Sequence, residues 1–131
     1  MTGISVPFPR RPCGGAYLKF EKRAGDFAVA SVGVQLETDD GGTIRRAAIS
    51  LGAVGALPIR ATAAEDVLRD TSASSPAVDQ AERLVREAAQ PFEDTRGSIE
   101  YKRHLAGVLF RRALAVAVDR ARGKEVLSPH L

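Results

Sequence analysis

FAVASVGVQLETDDGGTIRRAAISLGAV, residues 27–54, decides the fold. Its first part, FAVASVGVQLE at 27–37, is nearly continuous β-compatible apolar sequence, as expected of a central strand covered on both faces. Asp39-Asp40-Gly41-Gly42 follows, and Asp and Gly tolerate the positive φ angles of a tight hairpin turn. TIRRAAISLGAV at 43–54 is then the returning strand, antiparallel to the first.

Upstream, AYLKFEKR at 16–23 sets Tyr17, Lys19 and Glu21 against Leu18, Phe20 and Lys22, a period-2 strand. The short turn 23–26 joins it to the central strand, with Arg23 and Asp26 as candidate partners in an ion pair. Residues 1–15 hold Pro7, Pro9 and Pro12 with Gly3, Gly14 and Gly15, and read as an extended lead. Downstream, Gly55 and Pro58 close the sheet and helices begin. Thr62 and Glu65 have capping-box spacing, predicting a helix over 62–70. Ser75 before Pro76 predicts a second, ending by 89 ahead of Pro91. Ser98 caps a third, to about 121, with Gly123 as terminator. In it Tyr101, Leu105, Val108, Leu109, Ala113 and Val116 form an apolar stripe. Arg112 falls among them, as a partly buried guanidinium needing Asp94 or Glu100. Arg60 reads as structural. The expected fold is α+β: an antiparallel sheet of three to four strands, then three helices on one face. The domain is expected over 16–122, with 123–131 as a tail.

The chain has 131 residues, 44% of them apolar, enough for one domain with a core. With five Phe, two Tyr and no Trp, that core is aliphatic. The net charge of +3 is a weak signal for a polyanion partner. Both ends are basic and the middle acidic, so the charges can answer one another within the fold. The single cysteine, Cys13, makes no internal disulfide and fits a reducing, cytoplasmic setting. No apolar run reaches the length of a membrane span, and the first residues lack the apolar core of a secretory signal.

As an isolated catalyst the sequence is empty. It has no GxGxxG fingerprint and no Walker loop. His104 and His130 lack partners at metal-ligand spacing, and no Ser stands in a nucleophile motif. Arg103, His104 and Arg111 share one arc of the third helix, but Lys102 and Arg112 point elsewhere. A helix that reads nucleic acid gathers its cations on one stripe, so a free-standing basic module for nucleic acid is the lesser reading.

Three ordered stretches are similar to one family: YLKFEKRAGDFA at 17–28, LGAVGALPIRA at 51–61 followed by Ala64 and Glu65, and DTRGSIEYKRHLAGVLFRRAL at 94–114. TGISVP at 2–7 resembles the segment joining that family's domains. Over residues 2–122 the chain resembles the C-terminal domain of the FAD-binding medium subunit of molybdenum hydroxylases, the carbon monoxide dehydrogenase and xanthine dehydrogenase flavoproteins. The resemblance implies the same α+β fold and an oxidoreductase complex. In it, electrons from a molybdenum-binding large subunit pass through a small subunit with two 2Fe–2S clusters to FAD. It also implies an N-terminal FAD-binding domain carrying the diphosphate loops. Those loops have no counterpart here, so this chain by itself is expected to be inactive, and autonomous FAD binding is not expected of it. Carried onto this sequence, the family's flavin-proximal lysine is Lys19, with Tyr17 and Leu18 beside it. A cation there favours the negative charge that reduction places on the ring.

Overall fold

A computed structural model describes residues 2–9 and 11–127. Four antiparallel strands lie in the order of the chain: β1 (Cys13–Phe20), β2 (Ala30–Thr38), β3 (Ile44–Gly52) and β4 (Ile59–Arg60). Three helices follow: α1 (Thr62–Leu68), α2 (Ser75–Ala88) and α3 (Ile99–Ala121). The α+β expectation holds, with the helices on one side of the sheet. Strand β1 starts at Cys13, inside the stretch read as lead, because its backbone pairs from Cys13 opposite Glu37 onward.

The β2–β3 hairpin forms where Asp39-Asp40-Gly41-Gly42 places it. Asp39 Oδ1 accepts from the backbone N–H groups of Gly41 and Thr43 at 3.0 and 2.9 Å, and Gly42 has φ +82°. The β1–β2 turn closes differently from the expected Arg23–Asp26 ion pair. Asp26 N–H donates to the Arg23 carbonyl at 3.0 Å, and the Asp26 carboxylate turns to its neighbour's N–H, that of Phe27.

Alternate residues of the strands face the helices. Ala16, Leu18, Val32, Val34, Leu36, Ile49 and Leu51 are buried there, against Leu109, Phe110, Ala113 and Ala117 of α3. Each large aliphatic or aromatic side chain so buried contributes about 1.5–3 kcal/mol relative to leaving it in water. Helix α3 lies across β1 and β2, α1 covers β3, and α2 packs on both other helices. The contact of α3 with β1 is backbone to backbone. A Cβ built on Gly14 would stand 2.0 Å from the Ala117 carbonyl oxygen.

Two of the three predicted caps differ. Helix α1 starts at Thr62 behind Ala61, with no side-chain cap, because the Glu65 carboxylate turns away to other partners. Helix α2 starts at Ser75 behind Ser74. Ser98 does cap α3, accepting from Tyr101 N–H at 3.1 Å, and Gly123 ends it at φ +79°. Of the predicted α3 stripe Leu105, Leu109, Ala113 and Val116 are buried, and the departures lie beside them. Tyr101 is 41% exposed and Arg112 is exposed, whereas Lys102 is 3% exposed. The buried cation of this helix is therefore Lys102. It pairs with Asp94 at 2.8 Å and donates to the Phe92 carbonyl at 2.8 Å.

Candidate functional site

Among the described residues no helix covers the second face of the sheet. Strand β2 was expected to be covered on both faces, and the structure corrects this. Val32, Val34 and Leu36 point into the core, while Ser31, Gly33, Gln35 and Glu37 point the other way. Ala, Gly and Val look alike as apolar residues, which hid the alternation.

The register sets out this open face in rows. Lys19, Ser31 and Gly52 form one row across β1, β2 and β3. Tyr17, Gly33, Ser50 and Arg60 form the next, reaching β4. Gly15, Gln35 and Ala48 form the third. Small residues at the centre make a shallow groove of about 810 Å³, lined by Gly15, Tyr17, Gly33, Gln35, Ser50 and Arg60 among others. Its floor is flat because Gly15 and Gly33 put no side chain above the sheet. A Cβ on Gly33 would come 2.8 Å from Ser50 Oγ, and one on Gly52 would come 2.5 Å from Ser31 Oγ.

The three residues singled out from sequence separate across the sheet. Tyr17 is 61% exposed beside the groove, and Lys19 stands one row beyond it with its side chain 38% exposed. Leu18 is 2% exposed on the helix side. A ligand on the open face therefore cannot touch its side chain, because consecutive strand residues point to opposite faces. Sequence reasoning missed the shelf of Ser31, Gly33, Ser50 and Gly52, and also Glu21. The Glu21 carboxylate lies 2.6 Å from Lys19 Nζ. The signal for the shelf was the Ser/Gly alternation with Val in β2.

Arg60 is held at the groove's β4 side. Its guanidinium meets both oxygens of Glu65, at 2.9 and 3.0 Å, and Glu65 Oε1 also accepts from Ile49 N–H at 2.8 Å. Arg60 is thus structural, tying β4 to β3 and α1. Burial pushes the Glu65 carboxyl up, but the Arg60 guanidinium and the Ile49 N–H outweigh it and hold the group below its ordinary value. The folded state thus binds this proton less readily than the unfolded chain. The stabilisation is complete above the ordinary value of 4.5 and is lost as pH falls through the lower folded value. Urea midpoints measured across this range should fall steeply below about pH 4.5, and Glu65→Gln should flatten part of that slope.

The basic arc of α3 is engaged within the chain. Arg111 pairs with Asp79 and Glu82 of α2, and Arg103 donates to the Ala89 carbonyl at 3.1 Å. The competing nucleic-acid reading has no support from these residues. His104 is exposed in a shallow groove with Glu100 and Tyr101. His130 lies outside the described residues. Among the described residues no group of three or more His, Cys, Asp or Glu could hold a metal, and no helix is long and apolar enough to cross a membrane.

Fold and face together define a two-layer α+β domain with helices on one side of its sheet and an open groove on the other. Residues 15–117 match the model of the CO dehydrogenase flavoprotein C-terminal domain, and the chain belongs to that family. It is 38% identical over 122 residues to the carbon monoxide dehydrogenase medium chain of Afipia carboxidovorans, covering 93% of this chain and 42% of that one. It is 36% identical to the nicotine 6-hydroxylase medium subunit of Paenarthrobacter nicotinovorans, covering 86% of this chain and 39% of that one. The solved structure of reconstituted CO dehydrogenase from Oligotropha carboxidovorans superposes with a TM-score of 0.82 at 37% identity, over 88% of this chain and 40% of that one. The chain thus spans about two fifths of the length of these relatives.

Proposed function

We propose that this chain is the C-terminal domain of the FAD-containing medium subunit of a molybdenum hydroxylase-type oxidoreductase, and that its open sheet face helps to enclose the flavin. The observation that carries this reading is the placement of Lys19. Its ammonium lies on the uncovered face, one row from the exposed ring of Tyr17 and beside the flat Ser31 and Gly52 positions. A cation, a phenol and a flat shelf fit the edge of a planar ring. A glycine-rich diphosphate cradle is a separate element, and α1, α2 and α3 open behind Ala61, Ser74 and Ser98 without a run of glycines. An N-terminal FAD-binding domain supplies that part. When bound, FAD takes up electrons from the iron–sulfur clusters and passes them to an acceptor.

Within this division Lys19 holds positive charge near the ring, and Tyr17 and the shelf exclude water from one side of it. The remaining partners are the molybdenum-binding large subunit and the 2Fe–2S small subunit, and the lone Cys13 suits a cytoplasmic complex. The test mixes the chain with the separately produced part of the Afipia carboxidovorans medium chain that this chain does not cover, as the proposed FAD-binding part, and follows FAD retention by absorbance. The pair should retain FAD more tightly than either part, and Lys19→Met should weaken retention about tenfold, the loss of one charge-assisted contact. Stoichiometric FAD on the chain alone, or unchanged retention in Lys19→Met, contradicts the proposal.

A further inference from the structure

We propose that Glu21 is a positioning residue that fixes the Lys19 ammonium over the open sheet face and offsets part of its charge, and so sets the reduction potential of a flavin ring docked there. This rests on the flavin-facing reading of Lys19 and adds a residue that the reading did not contain.

Glu21 follows β1 directly, two residues after Lys19, so both side chains leave the same face. Glu21 Oε2 sits 2.6 Å from Lys19 Nζ. The contact is an ion pair rather than a well-aimed hydrogen bond, and Oε2 is buried with no hydrogen-bond partner of its own. The other oxygen, Oε1, accepts from Gly25 N–H at 3.1 Å. The carboxylate is therefore clamped by the turn, with one oxygen left for the ammonium. The pairing with Glu21 raises the Lys19 ammonium's affinity for its proton, and Lys19 in turn holds the Glu21 carboxyl below the ordinary range. Asp26 adds a weaker attraction of the same sign.

The turn that carries Glu21 is itself anchored. Val29 N–H donates to the Phe20 carbonyl at 2.8 Å, closing the base of the hairpin. Lys22 Nζ donates to the Thr95 carbonyl at 3.0 Å, and the Arg96 guanidinium stands 5.7 Å from the centre of the Phe27 ring. Both contacts join the turn to the loop before α3. A carboxylate on so fixed a base holds the ammonium in one place instead of following it. A ring docked beside Lys19 then meets an ammonium whose field is partly cancelled. Removing the carboxylate charge exposes the full cation, which favours the electron-rich ring and makes its potential more positive.

Glu21→Gln is the suitable variant, since its amide oxygen can still accept from Gly25 N–H and keep the turn. Midpoint potentials of FAD are measured by spectroelectrochemistry in the chain assembled with the FAD-binding part, for the parent, Lys19→Met, Glu21→Gln and the double variant. Lys19→Met should shift the midpoint negative. Glu21→Gln should shift it positive by a several-fold change in the reduction equilibrium, each tenfold being about 30 mV for a two-electron couple. In the Lys19→Met background Glu21→Gln should have a clearly smaller effect, because only the carboxylate's own field remains and no ammonium is left for it to position. A purely structural role would not produce that dependence. If Lys19→Met moves the potential and Glu21→Gln does not, the role of Glu21 is overturned while the flavin-facing reading stands. If Lys19→Met leaves the potential unchanged, the reading itself fails and the role of Glu21 falls with it.

Discussion

Gly14→Val is expected to lower the stability of the domain by about 3 kcal/mol, the upper part of the usual cost of overpacking a core. The site has no slack. An added Cβ would lie 2.0 Å from the Ala117 carbonyl oxygen and 2.5 Å from the Ala121 backbone nitrogen. Both are backbone atoms of α3, so no side chain can swing aside. The helix must lift from β1, and the lift loosens Leu18 and Val34 against Ala113 and Ala117. Urea unfolding reads the loss as a drop of about 1–2 M in the midpoint at unchanged slope. A midpoint within about 0.3 M of the parent would show that α3 does not ride on β1 at this closeness.

Lys102→Ala should be the second large effect, at about 2–3 kcal/mol. Lys102 is 3% exposed, and its ammonium serves three groups at once. It pairs with Asp94 at 2.8 Å, donates to the Phe92 carbonyl at 2.8 Å, and lies 5.2 Å from the centre of the Phe92 ring. Asp94 in turn accepts from Arg96 N–H at 2.8 Å, so the loop entering α3 is organised around this cation. Removing it leaves a carbonyl without its donor and a cavity where the stem lay. Lys102→Met refills the stem's volume and should recover part of the loss. Arg112→Ala, at an exposed position, should change the stability by less than about 0.5 kcal/mol in the same assay. Equal effects of the two truncations would refute the assignment of Lys102 as the buried cation.

The contrast between Lys102 and Arg112 shows where sequence reading lost resolution. A helical wheel places residues to within a fraction of a turn. The choice between two neighbouring faces depends on which one the partner layer meets, and for α3 that layer is β1 and β2. Lysine also misleads because its long apolar stem can be buried provided the ammonium finds acceptors. Here the acceptors come from the loop 92–94, which no local pattern ties to position 102. The caps of α1 failed for a related reason. Glu65 had the spacing to satisfy Thr62, but the Arg60 guanidinium and the Ile49 N–H, brought close by the sheet, held it more strongly.

Local signals sufficed where the chemistry was local. The Asp39–Gly42 turn, the Ser98 cap, the Gly123 terminator and the order of three long strands before three helices are dictated by φ preferences, capping and periodicity among near neighbours in the chain. The three family stretches were legible for the same reason, as contiguous runs. That Lys19 shares a face with Tyr17 and not with Leu18 followed from the period-2 pattern of β1, whereas the tertiary structure alone decided which sheet face stays bare and that Glu21 holds the ammonium. Strand register and helix docking set these outcomes through contacts between residues far apart in sequence, and no short-range preference encodes such contacts.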